Sequence, residues 1–162
     1  MATPIPGNQA RFTLEELVFS QTAAREGIDN TPAAVHVRAM RALCTNVLQP
    51  LRDAVGAPLV VSSGYRSPRL NKFVGGSARS QHMEGRAADV VCFSMDTKKL
   101  FKRVLELKLP FDQLIYEGGR ESVWVHVSFD PQRDRRSIMT ATFPAAGGVL
   151  YTKISRRAAL KL

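Results

Sequence analysis

Ser80-Gln81-His82-Met83-Glu84-Gly85-Arg86-Ala87-Ala88-Asp89 places two metal-ligating side chains in one short, glycine-containing segment. It sets a histidine and an aspartate seven positions apart, with the small residues Gly85 and Ala87 between them. Imidazole nitrogen and carboxylate oxygen are both good zinc ligands, and a catalytic zinc usually takes three protein ligands and keeps one position open. Two of the three can come from this stretch; the third should come from a distant segment. The chain has three histidines, His36, His82 and His126. His126 lies in Val123-Trp124-Val125-His126-Val127-Ser128-Phe129, which reads as a strand. Alternation puts Val123, Val125, Val127 and Phe129 on one face and Trp124, His126 and Ser128 on the other. The valine face is expected in the core and the histidine face in a cleft. His82, Asp89 and His126 are therefore the expected ligands of one zinc ion. The bland alternative is a histidine hydrogen-bonded to an aspartate inside a loop, and the pair taken alone favours it. His36 has no acidic or cysteine partner at ligand spacing and reads as structural or exposed.

The chain around this stretch has 162 residues, enough for one domain with a real core. Its hydrophobic share of 44% is ordinary for a soluble globular protein. The opening residues, Met1 to Gln9, lack the basic and apolar regions of a secretory signal, and no apolar run is long enough to span a membrane. The expectation is synthesis in the cytoplasm, with any later release supplied by something else. Cys44 and Cys92 read as small core residues rather than a disulfide. Net charge is +9, and it is uneven. Residues 131 to 162 hold Arg133, Arg135, Arg136, Lys153, Arg156, Arg157 and Lys161 against Asp134, seven minus one, or +6. Such a segment favours polyanions, anionic envelope polymers among them, or serves only as a solubilising tail. No dedicated nucleic-acid partner is expected, and the chain is expected to be a monomer.

Read in order, residues 1 to 11 look loosely attached. Thr13 and Glu16 form a capping box for a short helix over Leu14 to Leu17. Residues 20 to 30 read as polar turns. Thr31 and Pro32 read as N-cap and first residue of the main helix, whose buried stripe is Met40, Leu43, Cys44, Val47 and Leu51. Pro50 predicts a kink or break in it. Leu59 to Ser63 reads as a strand, Ser67 to Arg79 as a loop, and Ala87 to Phe93 as a second strand. A helix follows over Thr97 to Leu107, capped by Asp96 or Ser94, with Leu100, Phe101, Val104 and Leu105 inward. Gln113 to Glu117 and Val123 to Phe129 form a hairpin around Gly118-Gly119. Ile138 to Phe143 and Val149 to Ile154 are further strands. The sum is α+β, a helical N-terminal part packed on a largely antiparallel sheet.

The whole pattern Ser-x-His-x-x-Gly-x-Ala-x-Asp, the run Ser63-Gly64-Tyr65-Arg66-Ser67-Pro68-Arg69-Leu70-Asn71, then Val74-Gly75-Gly76-Ser77, and Trp124-Val125-His126-Val127 all carry one resemblance. Together they resemble the zinc D-alanyl-D-alanine carboxypeptidases and related phage endolysins, which cut peptidoglycan stem peptides. The resemblance runs from about residue 12 to 130, with the motifs in the family's order. It implies a Hedgehog/D,D-peptidase-like zinc fold, with 1 to 11 a flexible N-terminus and 12 to 162 a single zinc peptidase domain whose basic segment begins at about 131. It implies hydrolysis of either a D-Ala-D-Ala or an L-Ala-D-Glu bond, by a phage or prophage enzyme that reaches the cell wall after holin-dependent release or lysis. It gives Arg66 the role of holding a substrate carboxylate or the oxyanion. Ser80 touches the substrate or only braces its loop.

The general base is the open point. Some relatives carry an acid three positions before the second histidine, and here that position is Val123. Glu117 is the best substitute: paired opposite Trp124, it shares the His126 face and sits diagonal to it, while a slip of one residue turns it away. Glu121 and Glu84 are the runners-up. The rival to the peptidase reading is a zinc-stabilised protein without catalysis that binds cell wall or polyanions through its basic segment.

Overall fold

The computed structural model describes residues 11–118 and 122–162. The loose attachment expected of the first residues and the runner-up base Glu121 fall outside these, apart from Arg11. The backbone N–H of Arg11 donates to Gln49 Oε1, and its carbonyl accepts from Arg52.

The helical part begins with α1 (Leu14–Val18), closed by the expected box: Thr13 accepts from the Glu16 N–H while Glu16 accepts from the Thr13 N–H at 2.7 Å. The polar stretch after it is not merely turns. Ser20 caps α2 (Gln21–Glu26), which ends on Gly27 in the left-handed conformation. The main helix starts later than expected, as α3 (Ala34–Leu43). Thr31 does not cap it, because its N–H and hydroxyl are both taken by Asp29. The cap falls to the His36 ring, whose Nδ1 accepts the Ala33 N–H at 3.2 Å. His36 also stacks on Tyr65 with ring centroids 4.9 Å apart, so it is structural.

Pro50 does not break the helix. A π-helical turn (Cys44–Leu48) joins α3 to α4 (Gln49–Val55), so Pro50 falls in the first turn of α4. The wider turn accommodates a ring that would otherwise press on the preceding turn. Met40, Leu43, Cys44, Val47 and Leu51 form the buried stripe. Both cysteines are free and buried.

Six strands form one sheet: β1 (Val60–Ser63), β2 (Ala87–Val91), β3 (Gln113–Gly118), β4 (Val123–Ser128), β5 (Ser137–Thr142) and β6 (Leu150–Lys153). Their order is β1-β2-β4-β3-β5-β6, antiparallel except for the β3–β5 pair. The loop expected from Ser67 to Arg79 contains a helix instead, α5 (Pro68–Phe73). Ser67 caps it and Pro68 takes the first turn, a start signal masked in the sequence by the serines and glycines that follow. Between α5 and β2 lies a 3₁₀ turn (Gln81–Glu84). Asp96 caps α6 (Thr97–Glu106), and Ser155 caps the short α7 (Arg156–Ala159).

Alternation divides the sheet chemically. Ala88, Val90, Leu114, Val125, Val127 and Ile138 meet the stripe of α3–α4 and Leu100, Phe101, Val104 and Leu105 of α6 in one core. Each fully buried aliphatic side chain there contributes about 1.5–3 kcal/mol. The other face carries Asp89, His126, Trp124 and Glu117. The fold is therefore α+β, with helices covering one side of the sheet and chemistry placed on the opposite one.

Candidate metal centre and catalytic cleft

Three elements converge on one point. In the register, Asp89 of β2 faces His126 of β4. The 3₁₀ turn between Ser80 and Gly85 brings His82 over them. Ser80 Oγ caps this turn, and Gly85 closes it at φ +69. A side chain at Gly85 would also meet the His36 carbonyl at 2.6 Å, so the position admits only glycine.

His126 Nδ1 and Asp89 Oδ1 are 2.9 Å apart, His82 Nε2 and Asp89 Oδ1 3.3 Å, and His82 Nε2 and His126 Nδ1 3.2 Å. All three residues are buried, and their ligand atoms lie within 4.8 Å of one another, a set that can hold one metal ion. The His82 tautomer is fixed from behind: Nδ1–H donates to the Gly64 carbonyl at 2.7 Å, which turns the Nε2 lone pair inward. Burial holds His82 below the ordinary histidine value against the pull of Asp89, keeping it neutral as a ligand must be. Burial pushes the Asp89 carboxyl up, but His82 and His126 outweigh it and hold the group far below the usual carboxylate range. Two imidazoles and an ionised carboxylate at one buried point suit one zinc ion.

Arg66 flanks this centre. Its Nη2 donates to Asp89 Oδ2 at 2.9 Å and its Nε to Ser63 Oγ at 2.9 Å. A bulge in β1 at Ser63, opposite Asp89, sets this geometry, and Ser62 donates to the Asp89 carbonyl. Among the described residues Nη1 has no hydrogen-bond partner.

Glu117 pairs with Trp124, as the register argument required, and Trp124 is two residues from His126 on the same face. The carboxylate is buried, and burial raises it above the ordinary glutamate value, with Asp89 adding to the rise and His126 and Trp124 opposing it. Trp124 Nε1 is buried and completes no hydrogen bond of full geometry, but it stands close enough to favour the charged carboxylate. Glu84 lies elsewhere. It pairs with Arg86 at 3.1 Å and lines a separate cavity with His36, Arg38 and Phe129. Ser80 Oγ accepts from the His82 N–H at 3.4 Å, so its visible task is bracing the turn.

Two supports were not legible from motifs. The Gly64 carbonyl behind His82 is one. The other is a buried network in which Asp112 accepts from Gln81 Nε2 at 2.9 Å and from Arg135 Nε at 2.8 Å. Gln81 immediately precedes His82, so this network ties the ligand turn to the start of β3 and β5. The Arg66 run, the spacing of His82, Asp89 and His126, and Glu117 through its pairing with Trp124 were legible as chemistry.

The sequence is similar to known proteins. The peptidase M15 family profile matches residues 10–128. A zinc D-Ala-D-Ala carboxypeptidase of Streptomyces albus G is 48% identical over 44 residues, 26% of this chain and 17% of that relative.

Proposed function

The chain belongs to the peptidase M15 family, and we propose that it is a zinc metallopeptidase that hydrolyses peptidoglycan stem peptides, at a D-Ala-D-Ala or an L-Ala-D-Glu bond. The observation that carries the reading is the buried His82, Asp89 and His126 set with Glu117 and Arg66 on the same side of the sheet. The short match to a zinc D-Ala-D-Ala carboxypeptidase favours the same substrate class.

His82 Nε2, Asp89 and His126 Nδ1 would hold the zinc ion, which when bound would supply Lewis-acid chemistry for the scissile carbonyl and for water. Glu117 takes the proton of the attacking water at its carboxylate and returns it to the departing amine. Its buried setting, which lifts its proton affinity, suits that exchange. Arg66 stays fixed by Asp89 and Ser63 and offers Nη1 to a substrate carboxylate or to the developing oxyanion. Ser80 caps the ligand turn, and its hydroxyl braces the His82 N–H there. The basic segment from about residue 131 attracts the enzyme to anionic envelope polymers. In the cell we assign it the role of a phage or prophage lytic enzyme of endolysin type, reaching the wall on release or lysis. No described helix is long and apolar enough to cross a membrane.

Incubation of the zinc-loaded protein with defined muropeptides, read by mass spectrometry, tests this function. Products shortened at one stem-peptide bond are expected, and they name the bond. Unchanged muropeptides in the presence of bound zinc would favour the non-catalytic binding protein.

A further inference from the structure

Strand β6 lies beyond the family match, which ends at residue 128, and all four of its residues are exposed. Its place in the sheet is nevertheless specific. Tyr151 pairs with Ala141 of β5, Ala141 with Glu117 of β3, and Glu117 with Trp124 of β4. Directly paired residues project to the same face, so Trp124, Glu117, Ala141 and Tyr151 form one row across the cleft side of the sheet. Tyr151 and Glu117 are two strands apart, about 10 Å between backbones. The residue between them is an alanine, whose small side chain leaves the space above it open. Ala141 is 2% exposed, so larger neighbours cover it.

Tyr151 itself is half exposed, and it shares this row with Glu117; no hydrogen bond of full geometry joins the two, but the Glu117 carboxylate stands close enough to the phenol to disfavour its ionisation, with Asp89 acting the same way and Arg66 opposing. A phenol in this place has one useful donor, and the carboxylate is an acceptor. Glu117 therefore stands between an indole N–H from β4 and a phenol O–H from β6.

We propose that Tyr151 is a positioning residue for Glu117: its O–H holds one carboxylate oxygen so that the other faces the attacking water. The proposal rests on the reading of Glu117 as general base. It makes β6, the outermost strand of the sheet, part of the catalytic apparatus.

The test combines kinetics with a spectroscopic readout on a cleaved muropeptide. Tyr151→Phe keeps the ring and removes the donor, at a surface strand where folding is not at stake. Turnover is expected to fall about tenfold, the scale of one charge-assisted hydrogen bond, with KM unchanged. In a Glu117→Gln background the same substitution is expected to have no further effect, since the group it positions is gone. Equal losses in both backgrounds, or turnover within twofold of wild type in Tyr151→Phe, would overturn the proposal while leaving Glu117 as base. Near-normal turnover in Glu117→Gln would overturn the base and this proposal together. In the metal-free protein, the phenolate absorbance step that disappears in Tyr151→Phe should move to lower pH in Glu117→Gln, as the neighbouring negative charge is lost. A step that stays in place would show that the two side chains do not meet, and would overturn the proposal directly.

Discussion

Gly64→Ala should loosen the metal centre without touching a ligand. Gly64 stands behind His82, and its carbonyl accepts the Nδ1–H that turns Nε2 toward Asp89 and His126. A methyl group added at Gly64 would lie 2.1 Å from the Leu17 carbonyl oxygen and 2.9 Å from its carbon. Restoring even a 3.0 Å contact requires a retreat of 0.9 Å, the difference between 3.0 and 2.1. The obstacle is backbone, not a flexible side chain. Leu17 is fully buried, and its carbonyl also accepts the Tyr65 N–H at 2.7 Å. The strain of such overpacking is about 1–3 kcal/mol. Part of it falls on stability and part moves the Gly64 carbonyl away from the imidazole. Loss of an outer hydrogen bond to a metal-bound histidine typically weakens the metal about 10–100-fold. Competition with a chromophoric chelator measures that affinity, and thermal unfolding of the metal-free protein measures the strain separately. The expected result is a lowered melting temperature together with zinc affinity reduced by at least an order of magnitude. Wild-type zinc affinity in a folded Gly64→Ala protein would refute the claim that the carbonyl of Gly64 orients His82.

Three further outcomes follow from other parts of the molecule. Glu117→Gln should keep fold and zinc and lose about a hundredfold or more in turnover with little change in KM, measured on a cleaved muropeptide; near-normal turnover would place the base elsewhere. Asp112 is pushed up by burial, but Arg135 and Gln81 outweigh this and hold its carboxyl below the ordinary value. A carboxyl depressed in the folded state contributes stability above its unfolded pKa and loses it as pH falls through the folded one, so acid should unfold the protein below about pH 4. Asp112→Asn should flatten that limb and cost about 2 kcal/mol at neutral pH in chemical denaturation, less than a fully buried pair because Arg135 is half exposed; an unchanged acid limb would remove Asp112 from the explanation. Binding to isolated cell walls through the basic segment should weaken steeply with added salt while cleavage of a small soluble muropeptide changes little, and salt-insensitive wall binding would exclude electrostatic attachment.

The site was more legible in the sequence than the scaffold around it. Strand alternation alone puts His126 and Trp124 on one face and the valines on the other, because the side-chain period is fixed by the pleat. Glu117 followed from the same rule once its partner was taken as Trp124, and that register is the one observed. Local rules failed where a distant or competing group decided the outcome. Thr31 has the right chemistry for a cap, but Asp29 holds it, and His36 three residues into the turn takes over. The helix at Pro68 was hidden because six residues carry too weak a period to stand out among glycines and serines. The parallel pairing of β3 with β5 carries no local mark at all. Nor does the Asp112 network, whose members come from three separate segments, or Tyr151, which reaches the cleft only through the order of the strands.

The most direct measurement is a zinc titration of the metal-free protein, followed by turnover of a muropeptide that the protein cleaves. The account predicts no activity at the start and a linear rise that stops at one equivalent of zinc. It also predicts that His82→Ala and His126→Ala bind no ion at that concentration and show no turnover. Full turnover in metal-free protein, or full zinc content in either histidine variant, would contradict it.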